Sequence, residues 1–320
     1  MNARGWFFAA LWAALATCGA GCSIERLAVN KVGDALSGGA GIYATDEDPE
    51  LVGAALPFSL KLVESLLVKS PEHLGLLTTA SSGFTQYAYA FVQLPADLIE
   101  QEDLARAFTG RERARRLYLR ARDYGLRGLE VRHPGLRERF LAGPGDALRV
   151  TRRGDVELIY WTAAAWGSAI GLGKDDPALV GDLPFIEALA ARMLELDPGF
   201  GDGAVHSFMV AWEMARFGTE GDPAERATGH FQRAIELSRG LDAGAYVAYA
   251  ESVCRSREDR QCFTEALRSA LAIDPAARSS TRLANTLMQR RARWLLDNVD
   301  RFILPALNGD AGASAQEATP

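Results

Sequence analysis

Histidine and cysteine are scarce, with four of each in 320 residues. His73, His133, His206 and His230 share no spacing, and no Gly-x-Ser-x-Gly, His-Glu-x-x-His or phosphate-cradling glycine loop is present. Nothing therefore reads as catalytic, and no cofactor or metal is expected. A basic excess is also missing. Lys and Arg number 35 against 41 Asp and Glu, a net charge of −6, which excludes nucleic acid as a partner because counterion release rewards a basic surface. Alternating β-branched runs are few, which argues against a sheet. Beyond the N-terminus no stretch approaches about 18 apolar residues, so a mature chain soluble apart from any anchor is expected.

The N-terminus is where the chain is rich in signal. Met1-Asn2-Ala3-Arg4-Gly5 is short and positive, Trp6 to Leu15 is apolar, and small residues lead into Gly19-Ala20-Gly21-Cys22. That order describes an export signal too short to span a bilayer. A cysteine directly after Gly21 points to a bacterial lipoprotein, cut before Cys22 and acylated on its thiol. A stable anchor needs more than one acyl chain. Gly19 departs from the usual Leu, and Cys18 is a rival site with the bulkier Thr17 before it. An ordinary cleaved signal and a cytosolic apolar N-terminus are the other readings. Losing residues 1–21, whose one charged side chain is Arg4, takes the net charge from −6 to −7.

Outside the export region only Cys254 and Cys262 remain. They flank a tight turn between two expected helices and, outside the cytoplasm, can form a disulfide; two partly buried free thiols are the alternative. No further Cys or His lies near enough in sequence to complete a zinc site.

Apolar residues recur at three- and four-residue spacing, and Ala and Leu abound. This predicts helices near 23–37, 49–69, 72–93, 96–107, 111–132, 155–172, 182–196, 203–217, 223–238, 243–256, 258–273 and 279–302. Asp48-Pro49-Glu50 and Asp222-Pro223 supply helix starts. Ser70-Pro71, His133-Pro134, Asp197-Pro198 and Asp274-Pro275 each follow an apolar helix end. Their prolines lie 63, 64 and 77 residues apart, with Leu66, Leu129, Met193 or Ala270 five residues earlier. A stop of this kind, about two helical hairpins apart, is how tetratricopeptide units close. The expected fold is all-α: TPR-like hairpins forming a solenoid or compact ring over 22–307, with a fraying tail over 308–320.

Several stretches invite a chemical reading. Asp46-Glu47-Asp48 has metal-ligand character, but it runs straight into Pro49, so helix capping is favoured. Glu64-Ser65 is a faint match to helical lytic transglycosylases, and Pro71 falls where their motif would continue. Phe84, Tyr87 and Phe91 share one helical face, while Trp161 and Trp166 sit among small residues. Core packing is the plain reading; lining of an apolar cavity is the sharper one. Arg113, Arg116, Arg120 and Arg127 form a basic stripe, either a solvated face or a carboxylate site. Arg282 and Asn285 are further candidate anchors, or satisfy helix ends.

Gly21-Cys22-Ser23, Ile42 through Val52, Ala55 through Lys61, Phe84 through Phe91, Trp161 through Gly167, Leu196-Asp197-Pro198, Tyr249-Ala250-Glu251 and Arg282 through Ala292 together resemble the TRAP-transporter-associated T-component (TatT) lipoproteins. The resemblance covers nearly the whole chain after the leader. It implies a helical, TPR-like periplasmic lipoprotein, non-enzymatic and trimeric, with a pore or cavity in each subunit. The partners implied are a TRAP solute-binding P component and a small hydrophobic or organic-acid ligand. A scaffold lipoprotein for envelope assembly is the rival function. Ser23 lacks the Asp linked with inner-membrane retention, so the outer membrane is the expected location.

Overall fold

Asp48 opens the first long helix, α1 (Pro49–Lys69), its carboxylate accepting from the Glu50 and Leu51 amides at 3.0 Å each. It is a cap, and Pro49 sits where a missing N–H costs nothing. This is the capping role expected of the Asp46–Asp48 run. The computed structural model describes residues 29–38, 41–216, 218 and 220–304, and all regular structure among them is helical. Cys22, the export signal and the tail lie outside the described residues.

After α1 come α2 (Leu74–Ala88), α3 (Leu104–Arg132), α4 (Val156–Leu172), α5 (Leu183–Leu196), α6 (Phe200–Ala215), α7 (Pro223–Ser238), α8 (Ala243–Tyr249), α9 (Arg260–Ala272) and α10 (Arg282–Asp297), with shorter turns between. Neighbours in sequence pack as neighbours in space: α2 on α3, α3 on α4, α6 on α7, α9 on α10. One core gathers α1, α2 and α3 around Leu60, Leu76, Leu77 and Tyr118. A second gathers α3, α4 and α5 around Leu129, Ile159, Trp166 and Leu189. A third gathers α8, α9 and α10 around Phe263, Leu267 and Leu295. α10 then returns to α1 and to the short helix Gly41–Thr45. Arg290 reaches Glu50 at 2.6 Å and Arg282 reaches Glu47 at 3.6 Å, so the two ends of the helical chain meet.

Three of the proline stops share one geometry. Ser70, His133 and Asp197 leave the helical region, as residues before proline must. The amide of each turns back onto the carbonyl of Leu66, Leu129 or Met193. The fourth differs: the Gln289 side-chain amide donates to the Ala270 and Ile273 carbonyls at 3.0 and 2.6 Å.

Two expectations are corrected. The break expected between 107 and 111 does not exist, because α3 runs through Gly110. A Cβ there would meet the Ala96 Cβ at 2.6 Å, so this glycine marks a close approach of two helices. The chain turns earlier instead, over Ile99–Asp103, and Asp103 caps α3. The second correction concerns α1, which by length and composition is apolar enough to cross a membrane. Its face bearing Val52, Leu56, Leu60, Val63 and Leu67 is buried, yet Leu51, Phe58 and Val68 stand exposed.

Two helices widen into single π turns, Tyr89–Gln93 after α2 and Ala250–Cys254 after α8. Cys254 forms a disulfide with Cys262 on α9, their Cα atoms 5.5 Å apart, within the span such bridges favour.

Candidate functional site

Where α10 closes on α1 and α2, the side chains leave a cavity of about 480 Å³. α1 contributes Leu56, Leu60 and Val63; α2 contributes Thr79, Ser82 and Gln86; α10 contributes Leu283, Leu287 and Met288. The π turn adds Tyr89, Ala90 and Phe91. Among the described residues no Asp, Glu, Lys, Arg or His lies on the wall. Several of the polar groups are already engaged with the protein, while the Thr79 and Ser280 hydroxyls are not. Tyr43 and Ser59 share a hydrogen bond of 2.6 Å, Gln86 donates to the Ser82 carbonyl at 3.3 Å, and the Tyr89 hydroxyl points at the Met288 sulfur at 3.7 Å. Burial, reinforced by the Glu251 charge, pushes the Tyr89 phenol far above its ordinary pKa, so it stays neutral. The size and apolar wall are those of a small-molecule site.

A shallower groove of about 400 Å³ lies beyond Phe91, bounded by Pro49, Gly53, Tyr87, Leu94 and the Glu50–Arg290 pair. Ala90, Phe91 and Leu287 border both spaces. The Phe91 ring borders both, packed on Gly53 of α1 and 5.9 Å from the Tyr87 ring.

Of the five aromatics expected to line a cavity, Phe91 does so and Tyr87 borders the adjoining groove. Phe84, Trp161 and Trp166 line neither space. Phe84 is buried, stacked on Tyr124 with the Arg120 guanidinium 5.3 Å above it. Its shared face with Phe91 is lost because the π turn interrupts the α-helical period between them. Trp166 stacks on Phe185 and donates to Asp182 at 2.9 Å, inside the second core. Trp161 packs edge-on against Tyr160. The residues that sequence reasoning missed, Leu56, Leu60, Leu283, Leu287 and Met288, are ordinary aliphatics. Only the meeting of the two chain ends distinguishes them from core.

Apart from Arg116, the other candidates have structural partners. Asn285 accepts from the Ala243 amide and donates to the Leu241 carbonyl, both at 3.0 Å, bracing the start of α8. Arg113 donates to the Tyr87 hydroxyl at 3.2 Å, and Arg127 to the Pro71 carbonyl. Burial raises the Glu64 carboxyl, but hydrogen bonds from Lys61 and Tyr124 and the Arg120 charge outweigh it. The net shift is downward, the reverse of what a general acid needs.

One titratable cluster lies away from the cavity. His206 and His230 face each other Nδ1 to Nδ1 at 2.9 Å, with Glu213 3.9 Å from His230 and Arg216 and Arg226 on Glu213. Burial, then the neighbouring His230 and Arg233, lowers the His206 pKa to about 4. Among the described residues no group of three or more His, Cys, Asp or Glu is arranged to hold a metal ion.

The described residues thus form an all-α protein whose helices enclose a largely apolar hollow. Residues 45–303 match the family described as TRAP transporter T-component, and the chain belongs to that family. An uncharacterized protein of Treponema pallidum (strain Nichols) is 30% identical over 304 residues, covering 89% of this chain and 94% of its own. The family is an accessory of TRAP transport on the periplasmic side, and is not a known enzyme family.

Proposed function

We propose that this protein is a lipid-anchored, non-enzymatic T component that holds a small hydrophobic ligand between α1, α2 and α10. In this reading it passes the ligand to or from a TRAP solute-binding P component. The observation carrying it is the wall of the 480 Å³ cavity, which is mostly apolar and, among the described residues, carries no charge. A carboxylate placed there would lose its hydration without gaining a counter-ion, at a cost of several kcal/mol. An apolar ligand, or the tail of an organic acid whose head stays at the mouth, suits the wall better. Acylation at Cys22 would keep the chain at the periplasmic face of the outer membrane, and a homotrimer would array the cavities beside their P components. TPR-like hairpins suit such docking, since stacked hairpins offer an extended concave surface.

Native mass spectrometry of protein extracted from its own envelope tests this reading. A co-purifying apolar small molecule and a P-component partner support it. An empty chain with no such partner would leave the envelope-scaffold reading in its place.

A further inference from the structure

We propose that the exposed face of α1, flanked by the arginines of α3, lies on the anionic phospholipid leaflet that holds the acylated Cys22. This rests on the anchor reading above and goes beyond it, from a tether to a seated orientation.

Three observations converge. First, α1 carries an apolar stripe that nothing among the described residues covers. Leu51, Phe58 and Val68 are 59%, 75% and 79% exposed, and Ala54 and Leu62 complete the face at helical spacing. A helix of 21 residues presents that stripe over about 31 Å.

Second, the chain leading back to Cys22 leaves the fold at one end of the stripe. Asn30 is held there, its side chain accepting from the Ser70 hydroxyl at 2.6 Å and its carbonyl 3.2 Å from His73 Nε2. The eight residues from Cys22 to Asn30 span at most about 28 Å. An acyl anchor on Cys22 therefore cannot let the Val68 end drift far from the bilayer.

Third, the charge beside the stripe has the sign of an anionic surface's complement. Arg120 stands 3.7 Å from Glu64 of α1, Tyr124 donates to the same carboxylate at 2.8 Å, and Arg127 bonds to Pro71. The ridge Arg116–Arg120–Arg127, with Asp123 inside it paired to Arg122 at 2.8 Å, thus follows the C-terminal half of α1, where Lys69 is exposed and Lys61 pairs with Glu64 at 2.6 Å. At the opposite end the acids Glu47 and Glu50 are paired with Arg282 and Arg290. An apolar face rimmed by cations is the form of an interfacial helix that lies on a membrane. Two copies packed stripe to stripe in parallel would instead bring two basic ridges together.

The test uses the full acylated chain carrying Phe58→Cys, whose introduced thiol is the free one once Cys22 is acylated and Cys254 and Cys262 are bridged. It is labelled with a polarity-sensitive fluorophore and reconstituted in phosphatidylglycerol/phosphatidylethanolamine vesicles. A Leu304→Cys chain is the control. Lipids spin-labelled on the acyl chain should quench the label on the Phe58→Cys chain several-fold more than the control. Adding Arg116→Glu and Arg120→Glu, or using phosphatidylcholine alone, should reduce that quenching. A label unquenched by lipid on an acylated chain overturns the proposal while leaving the anchor intact. A blue-shifted label that lipid does not quench and that cross-links to a second copy assigns the stripe to an interface between copies, and also overturns it. Absence of acyl groups on Cys22 by mass spectrometry removes the anchor reading itself.

Discussion

The Phe91 ring occupies the space into which a side chain on Gly53 would project: a Cβ there would meet the ring at 2.7 Å. The contact joins α1 to the π turn, and it sets the position of a ring that borders both the cavity and the groove.

Gly53→Ala therefore displaces that ring. Alanine in place of glycine within a helix ordinarily gains about 1 kcal/mol, and the clash opposes this gain. We expect little net change in the urea midpoint but faster release of an apolar probe such as N-phenyl-1-naphthylamine. Phe91→Ala should speed release further. Unchanged release kinetics in both variants would mean that the ring does not bound the ligand's space.

Trp166 behaves as core. Trp166→Ala should cost about 3–5 kcal/mol of stability, read from denaturant unfolding. Below the unfolding transition the variant should bind the same probe with unchanged affinity. Loss of binding with intact stability would restore Trp166 to a ligand site.

The two tryptophans and Phe84 show where sequence pattern runs out. Helix positions, Asp–Pro caps and three proline stops were legible because each has a local cause: a capping carboxylate, a missing N–H, a residue barred from the α region. Gly110 was misread because a glycine that lets helices touch looks, in one dimension, like one that ends a helix. The cavity wall was hidden for a different reason. Leu283 and Leu287 face Leu56 and Leu60 only because the chain closes on itself over more than 220 residues, and the π turn at Tyr89 shifts the facing of Phe91 relative to Phe84. No periodicity encodes either event.

Acid should weaken the fold through His206 before the carboxylates titrate. Its folded pKa, lowered to about 4 by burial and by His230, lies below the unfolded value of 6.5. The stabilising term is thus complete above pH 6.5 and is lost as pH falls towards 4, amounting to at most about 3 kcal/mol. His230, lowered mainly by burial, adds in the same direction against the opposing pull of Glu213. The urea midpoint should fall between pH 6.5 and 5, and His206→Gln should flatten that slope. A midpoint constant over this window would contradict the assignment.

The Cys254–Cys262 bridge closes a short loop, with a sequence separation of 8. The loop-entropy relation gives about 2–3 kcal/mol for removing it. A Cys254→Ser, Cys262→Ser chain should unfold at correspondingly lower urea, and intact-mass analysis of exported protein should show both thiols consumed. Free thiols after export would contradict the bridge.

Filling the cavity tests the whole account most directly. Ser82→Leu projects an aliphatic side chain into the space between α1, α2 and α10, at the cost of one hydrogen bond to its own helix, from the Ser82 hydroxyl to the Thr79 carbonyl at 3.3 Å. In a fluorescence titration with N-phenyl-1-naphthylamine, the unaltered chain should bind one equivalent, and Ser82→Leu should abolish that binding while its far-UV circular dichroism is unchanged. Undiminished binding by a folded Ser82→Leu chain would contradict the claim that this hollow receives the ligand.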